Sequence, residues 1–261
     1  MDANEYNKNF YSSMFNDEAE RYYKIQAKKI SIVLGLLEKH EKGKILDIGC
    51  GDGFISSIIA KGTGAEVHGL DISRHAVSKA KERGIAAKVL NLDRHTLPFK
   101  EDSFDAVFCG DVLEHVNDTE NLLDNINHVL KPSGYLILSI PNIASWYNRV
   151  FLLFGLMPTW VESSLRTYTG NPFIKKGSGH IHAFTKRSLK EMLKLKGFHI
   201  EKAIGSPILA DGSRKRWKEI IWNGVDSVFA KRVTLASTII LKARKMQQSN
   251  KRRVFESLNV A

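Results

Sequence analysis

The feature that most constrains this chain is a repeated alternation of short apolar segments with longer amphipathic ones. Between residues 44 and 142 the short segments have the length and composition of buried strands, and segments of helical periodicity separate them. The predicted strands are KILDIG, AEVHGLDI, AAKVLNLD, FDAVFCGD and YLILSIPN. Such βαβ units indicate an α/β fold, with a doubly wound, mostly parallel sheet and helices on both faces.

The alternation is interrupted after residue 142. Residues 144–179 are rich in aromatic residues, glycine and proline, and they show no clean period. A stretch of this length is typical of a functional lid, which we expect to be mobile. Order returns with a helix in TKRSLKEMLKLKGF, the strand FHIEKAIG, a helix from about Arg214 and a final strand RVTLASTIIL.

Charge is unevenly distributed along the chain. The formal net charge is +11, and residues 211–253 contain twelve Lys or Arg against three Asp or Glu, a local net of +9. This region either forms a solvated face and tail or contacts an acidic partner, such as an anionic membrane surface, a phosphorylated glycan carrier or nucleic acid. The two cysteines form no CxxC pair and the N-terminus has no apolar signal region, which together predict a cytoplasmic protein.

A glycine-rich stretch, ILDIGCGDGF, follows directly on the first predicted strand. Its pattern is Asp47-x-Gly49-x-Gly51-x-Gly53, and it falls at the carboxyl end of that strand, where doubly wound sheets bind ligands. A second acid, Asp71, ends the next strand about twenty residues later, a spacing that suits hydrogen bonds from ribose hydroxyls. The pattern therefore predicts a nucleoside site.

The spacing of this loop distinguishes between nucleoside cofactors. A dinucleotide fingerprint has a third glycine where this chain has Phe54, and Asp47 before the first glycine would repel a pyrophosphate. No GKS or GKT follows, so a P-loop is excluded. A carboxylate instead suits a ligand with cationic groups, and S-adenosylmethionine carries a sulfonium and an ammonium.

Several motifs in order resemble class I S-adenosylmethionine-dependent methyltransferases over about residues 44–140. These motifs are ILDIGCGDG, VHGLDIS, NLDRHTLPFKEDSFDAVFCGDVLEHV and LKPSGYLILSIPN. The resemblance implies S-adenosyl-L-methionine as cofactor, with Asp71 at the ribose, Leu92 beside the adenine ring and Asp93 facing the adenine amino group. Ile72, next to Asp71, is a further predicted cofactor-binding residue. It also implies a Rossmann-like seven-stranded sheet in the order 3-2-1-4-5-7-6, with an antiparallel seventh strand.

No internal repeat, low-complexity segment or clear linker stands out, so we expect a single domain over residues 1–261. Its parts are an N-terminal helical cover (1–42), a cofactor-binding core (43–143), a substrate lid (144–182), the rest of the sheet (183–245) and a basic tail (246–261). PNIASWYNRVFLLFGLMP and GHIHAFTKRSLKEMLKLKGF resemble methyltransferases linked to cell-surface glycans or small metabolites, and more loosely ubiquinone-biosynthesis O-methyltransferases.

Candidate catalytic residues follow the fourth strand and the lid. Asp111 and His115 are expected on the pocket floor, and His180 or His182 is expected to act as a base of ordinary pKa, about 6.5. The spacing D-x-x-E-H, which includes Glu114, resembles metal-dependent small-RNA 2′-O-methyltransferases, but these carry Glu in place of Asp111. We therefore favour a histidine base without a metal.

The predicted function is methyl transfer from S-adenosyl-L-methionine to an oxygen of a small-molecule, glycan or lipid-linked acceptor. Two alternatives stay open, a metal-assisted transfer and a nucleic-acid-directed transfer that uses the basic C-terminal region. A nucleic-acid partner is disfavoured because no RNA-binding appendage and no NPPY-type motif are present, SIPN standing in that position. Peripheral contact of the C-terminal region with an anionic membrane surface stays open beside the favoured solvated face and tail.

Overall fold

The structure, a computed structural model, describes residues 18–164, 169–174, 177–209 and 215–247, with side chains from residue 26 onward. The strands are β1 (Lys44–Ile48), β2 (Glu66–Asp71), β3 (Ala86–Val89), β4 (Phe104–Gly110), β5 (Leu130–Pro141), β6 (Phe198–Ser206) and β7 (Thr238–Lys245). The helices are α1 (Glu18–Leu36), α2 (Phe54–Thr63), α3 (Arg74–Glu82), α4 (Thr119–Val129), α5 (Trp146–Leu153), α6 (Lys186–Leu195) and α7 (Arg216–Ala230). A short 3-10 helix, Leu113–His115, follows β4.

The seven strands form one sheet in the order β3-β2-β1-β4-β5-β7-β6, as predicted. The first five strands in this order are parallel, and β7 runs antiparallel to both of its neighbours, β5 and β6. The carboxyl ends of β1, β2, β4 and β5 therefore meet at one edge of the sheet, which is called the carboxyl edge below.

Helices cover both faces of the sheet because successive strand residues enter two separate cores. In β4, Ala106 and Phe108 belong to one core, and Val107 and Cys109 belong to the other. The first core is completed by α1, α2 and α3 through Val33, Leu36, Ile59, Val77 and Ala80. The second is completed by α4 and α6 through Leu122, Leu123, Ile126, Val129, Leu189 and Leu193.

The predicted boundaries of three strands and one helix were wrong. The fifth strand was expected to begin at Tyr135, but β5 begins at Leu130. The last strand was expected to begin at Arg232, but residues 231–237 form turns and β7 continues instead to Lys245. The charged residues at the end of β7 are paired with acids from distant segments, as described below. The third strand ends at Val89, so that Leu92 and Asp93 lie in the following loop. Helix α4 ends at Val129, where the next residue already pairs with β4.

The predicted lid begins with an ordered helix, α5, rather than with irregular chain. Further along, Asn148 holds the backbone of Thr159, and Met157 donates its N–H to the carbonyl of Gly170 at 2.8 Å. The segment re-enters the fold through a bridge between Asn142 and Phe184. Residues 165–168 and 175–176 lie outside the described residues, and the predicted mobility of the lid stays a prediction.

The two ends of the chain are described only in part. Helix α1 confirms a helix in the predicted N-terminal cover, and residues 1–17 lie outside the described residues. Most of the predicted basic tail, residues 248–261, also lies outside them. Across the described residues, no helix combines the length and apolar character needed to cross a bilayer.

Candidate functional site

The glycine loop after β1 has the left-handed backbone that its sequence suggests. Gly49, Gly51 and Gly53 have φ of 76°, 54° and 76°. A Cβ on Gly49 would lie 2.3 Å from the side chain of Val112, and one on Gly53 would lie 2.8 Å from the backbone of Ala80. These two glycines thus allow close packing within the protein. Gly51, at the turn between them, is half-buried at the carboxyl edge.

Asp71 ties this loop to the end of β2. Its carboxylate accepts the N–H of Gly51 at 2.9 Å and the N–H of Ser73 at 2.8 Å. Burial raises the pKa of Asp71, and these backbone hydrogen bonds oppose that rise. The carboxylate of Asp71, which is predicted to bind the ribose, is therefore held in place by the loop itself.

Asp47 lies beneath the loop rather than at its surface. The side chain is only 1% exposed, and one oxygen accepts the hydroxyl hydrogen of Ser56 at 2.5 Å. Its other oxygen, Oδ1, is buried without a hydrogen-bond partner. Burial raises the pKa of Asp47 to about 7. A buried, unpaired carboxylate oxygen suits the cationic groups of S-adenosylmethionine and does not suit a phosphate.

The remaining predicted cofactor residues lie at the same edge. Ile72 follows β2 directly, and Leu92 and Asp93 lie in the loop after β3; all three are half-buried. The Asp93 carboxylate accepts the N–H of Asn117 at 2.7 Å, which joins this loop to the segment after β4. The structure thus places a polar loop, two acids and two apolar side chains along one sheet edge.

A second group of polar residues follows β4 at this edge. Glu114 and His115 lie on the 3-10 helix and meet His180, from the end of the lid, so that one ligand atom of each lies within 4.8 Å of the others. Ile181 and His182 hold the lid in place by donating their N–H groups to the carbonyl of Glu114. These three side chains, Glu114, His115 and His180, are called the acid–histidine cluster.

The two histidines of the cluster are neutral and one has a fixed tautomer. His115 Nδ1 lies 3.1 Å from the carbonyl oxygen of Gly179, which can only accept, so Nδ1 carries the proton and Nε2 does not. Burial lowers the pKa of His115 to about 4 and that of His180 to about 3. The expected base of ordinary pKa is therefore corrected: these imidazoles stay neutral because they are desolvated.

Glu114 is the least satisfied polar group of the cluster. Its side chain is 1% exposed, and neither carboxylate oxygen has a hydrogen-bond partner. Oε1 lies 3.9 Å from Nε2 of His180, whose Nδ1 is also buried and unpaired. Burial raises the pKa of Glu114 well above its usual range, and the nearby charge of Asp111 raises it further. Such unsatisfied buried groups suit a ligand.

Asp111 has a partner that the sequence analysis missed. Its carboxylate forms an ion pair with Lys29 of α1 and also accepts the hydroxyl hydrogen of Ser139 at 3.1 Å. Asp111 has a φ of 54°, which is uncommon for a residue other than glycine. A signal for Lys29 existed in the sequence, because it falls at i, i+4, i+7 spacing with Val33 and Leu36 and so lies on the buried side of α1.

The predicted residue His182 and two tryptophans of the lid lie near the cluster or outside it. His182 is not part of the cluster, because its Nε2 lies 3.3 Å from the backbone oxygen of Asn117. Trp160 contacts His180 with ring centroids 5.5 Å apart, and its indole N–H donates to the hydroxyl of Tyr147 at 3.2 Å. Trp146 packs on α7 instead, where its ring stacks on Phe229.

The cluster also fits a divalent metal ion. A carboxylate with two unpaired oxygens and two imidazole nitrogens is a donor set that such ions accept. Asp111, which the sequence pattern adds to this set, is instead engaged by Lys29. The ligands that the structure brings together are therefore Glu114, His115 and His180.

The sheet order, the glycine loop and the acid that ends β2 define the chain as an S-adenosylmethionine-dependent methyltransferase by class. Residues 19–203 match a family model described as a methyltransferase domain, and the chain belongs to this family. S-adenosyl-L-methionine is accordingly its methyl donor.

Individual relatives are similar over parts of their length. The mitochondrial arginine-hydroxylase NDUFAF5 of Mus musculus is 38% identical over 92 residues, 35% of this chain and 27% of that protein. A ubiquinone biosynthesis O-methyltransferase of Xylella fastidiosa is 28% identical over 168 residues, 62% of this chain and 63% of that protein. The chain thus spans less than two thirds of either relative.

Among solved structures, the fold is similar to that of a phosphoethanolamine N-methyltransferase 2 of Haemonchus contortus in complex with S-adenosyl-L-methionine. The TM-score is 0.61 at 19% identity, over 92% of this chain and 60% of the other. At this identity the similarity concerns the fold alone.

Proposed function

We propose that the protein transfers the methyl group of S-adenosyl-L-methionine to an oxygen of a small-molecule, glycan or lipid-linked acceptor. The observation that carries this proposal is the buried, unpaired acid–histidine cluster at the sheet edge that also holds the glycine loop and Asp71. The similarity to an O-methyltransferase supports oxygen as the acceptor atom. A cytosolic location is part of the proposal, supported by two free, buried cysteines.

In this proposal the chain positions the acceptor, excludes water and receives one proton. The cofactor, when bound, supplies a methyl group that is already electrophilic, so positioning accounts for much of the catalysis. The neutral His180 accepts the hydroxyl proton at Nδ1 as the acceptor oxygen forms its bond to the methyl carbon. Glu114, 3.9 Å from Nε2, is placed to stabilise the resulting imidazolium. Asp71, the glycine loop and Asp47 hold the cofactor.

A metal-assisted transfer is the second candidate, and the unpaired oxygens of Glu114 favour it. Glu114, His115 and His180 would hold the ion, which would lower the pKa of an acceptor hydroxyl. The nucleic-acid alternative has less support, because the basic residues of β7 are engaged. Lys242, Arg244 and Lys245 form ion pairs with Glu38, Glu201 and Asp102.

The proposal is tested with His180→Ala, against His128→Ala as a control on the exposed side of α4. Transfer of labelled methyl groups into aqueous glycan extracts and into lipid extracts should fall about 10²–10⁴-fold in His180→Ala. Cofactor affinity, measured by calorimetry, should stay nearly unchanged. Unaltered transfer in His180→Ala, or a loss seen only in His182→Ala, would contradict the proposed base.

A chelator separates the two candidates. With a histidine base, the chelator has no effect, and kcat shows no inflection near pH 6.5, because the pKa of His180 is about 3. With a bound metal, the chelator abolishes transfer and a divalent ion restores it. Mass spectrometry of the methylated product then identifies the methylated atom; methylation of nitrogen or carbon would overturn the proposed acceptor class.

A further inference from the structure

Helix α7 has apolar side chains on two opposite faces. Its inner face is anchored by Asp226, which is fully buried and accepts hydrogen bonds from Trp146 and Ser237. Its outer face carries an exposed apolar stripe, whose members are 36–63% exposed: Trp217, Ile220, Ile221, Val225 and Val228. A helix on the surface of a soluble protein normally presents polar residues there, so this face requires an explanation.

The apolar stripe is continuous and has neighbours of the same kind. Its members recur at helical spacing along nearly the whole of the 15-residue helix. Single exposed apolar residues are common on protein surfaces, but a continuous stripe is not. Helix α5 packs beside α7 through contacts of Tyr147 and Trp146 with Trp222. Beyond these contacts, α5 ends at Leu153, and Leu153 and the following Phe154 are 80% and 73% exposed.

Basic residues flank the stripe at both ends of α7. Lys215, Arg216 and Lys218 lie at its start, and Lys231 and Arg232 follow its end; all five are exposed. Among the ion pairs found within the described residues, none involves these five side chains, in contrast to the basic residues of β7. An apolar stripe with basic flanks and an exposed tryptophan is the composition of helices that lie in the surface of an anionic membrane.

The basic residues around the stripe make a second copy of the chain an unfavourable binding partner for it. Two copies that met through this stripe would bring like charges together, which is destabilising at an interface. Anionic lipid head groups, in contrast, would neutralise the same charges, each contributing favourably within a Debye length of the surface.

Helix α7, which carries the stripe, is connected to the proposed acceptor site by a short chain of aromatic contacts. Trp222 of α7 contacts Tyr147, whose hydroxyl accepts the N–H of Trp160, and Trp160 contacts His180. We propose that α7 and the end of α5 dock on an anionic lipid bilayer, with the apolar stripe inserted at the interface. Resting on the proposed function, this would direct the acceptor site to a lipid-linked acceptor at the membrane.

The proposal is tested by flotation of the full chain with vesicles of phosphatidylcholine alone or mixed with phosphatidylglycerol, without cofactor. The wild type should bind the mixed vesicles and release them at high salt. Ile220→Ser should lower binding about tenfold, because one large apolar side chain loses its burial. Leu195→Ser is the matched control, since Leu195 is 43% exposed but ends α6 at the opposite edge of the sheet; it should retain wild-type binding.

Two further measurements keep the result unambiguous. Arg216→Gln/Lys218→Gln should weaken binding to mixed vesicles and reduce its salt dependence. The proposal would be overturned if wild type and Ile220→Ser bound the vesicles equally. It would also be overturned if neither protein bound vesicles and the wild type formed dimers that Ile220→Ser disrupted. Calorimetry with S-adenosyl-L-methionine shows whether Ile220→Ser still folds and binds cofactor, so failure of docking is distinguishable from failure of the proposed methyl transfer.

Discussion

At one end of the carboxyl edge, Asp71 accepts two backbone hydrogen bonds from neighbouring turns; at the other, Glu114 is buried with neither of its oxygens paired. We assign the first environment to the proposed cofactor half of the site, residues 47–93, and the second to the proposed acceptor half. The cofactor half satisfies most of its polar groups locally. The acceptor half combines residues from α1, the segment after β4 and the end of the lid, and it leaves groups for a ligand to satisfy.

The two halves of the site therefore differ in how each would recognise its ligand. A donor that is always the same molecule can be bound by a rigid, pre-formed loop. In the proposed function, an acceptor brings its own polar groups to Glu114 and His180, and the ligand completes this half of the site. We therefore expect cofactor binding to be sensitive to backbone geometry and acceptor chemistry to be sensitive to charge.

The largest effect is expected from Gly51→Val in the cofactor half. Gly51 has a φ of 54°, which a β-branched residue adopts only with strain, and its N–H holds Asp71. Calorimetry should show affinity for S-adenosyl-L-methionine about 100-fold lower, combining the strain with the displaced carboxylate. Gly35→Ala is the control, because a Cβ there meets no atom within 4 Å; an intact affinity in Gly51→Val would remove the loop from the cofactor site.

Lys29→Met tests whether the acceptor half depends on the N-terminal helix. The substitution leaves Asp111, whose side chain is 24% exposed, without its cation. Unfolding by denaturant should show a loss of about 2 kcal/mol, less than for a fully buried pair because water reaches Asp111. The double variant Lys29→Met/Asp111→Asn should regain most of this loss. If Lys29→Met unfolds like the wild type, the ion pair does not hold α1 in place.

The smallest effect concerns Asp47 and pH. Its ordinary pKa is 3.8 and burial raises it to about 7, so the ligand-free fold loses stability from this group as the pH rises from about 4 to about 7. A cationic ligand favours the carboxylate, so affinity for S-adenosyl-L-methionine should rise up to about tenfold between pH 6 and pH 8, with release of a proton. Calorimetry in buffers of different ionisation enthalpy measures that proton; Asp47→Asn should release none.

The cofactor half was predictable because its residues are close together in the sequence. Asp47, the glycines and Asp71 lie within 25 residues, and their spacing reports the loop geometry directly. The internal packing of Gly49 and Gly53 was not predictable, since Val112 and Ala80 approach them only in the folded sheet.

The acceptor half was predictable only as a set of candidate residues. His115 and His180 were identified, but His182 belongs with Asn117, and Lys29 was missed because its partner lies 82 residues away. The depressed histidine pKa values depend on burial beneath the lid, which residue type and spacing do not reveal. The end of β7 was missed for a related reason, as the acids that pair with its basic residues come from remote segments.

The position of β7 has a consequence for the order in which the chain folds during synthesis. Strand β7 lies between β5 and β6 in the sheet, so one edge of β5 stays unpaired and β6 has no strand partner until residues 238–245 have left the ribosome. Until then the edge of β5 from Tyr135 to Pro141 is open to pairing with another nascent chain. The parallel part of the sheet can assemble first, and the insertion of β7 is the event that closes the sheet and ends this period of exposure.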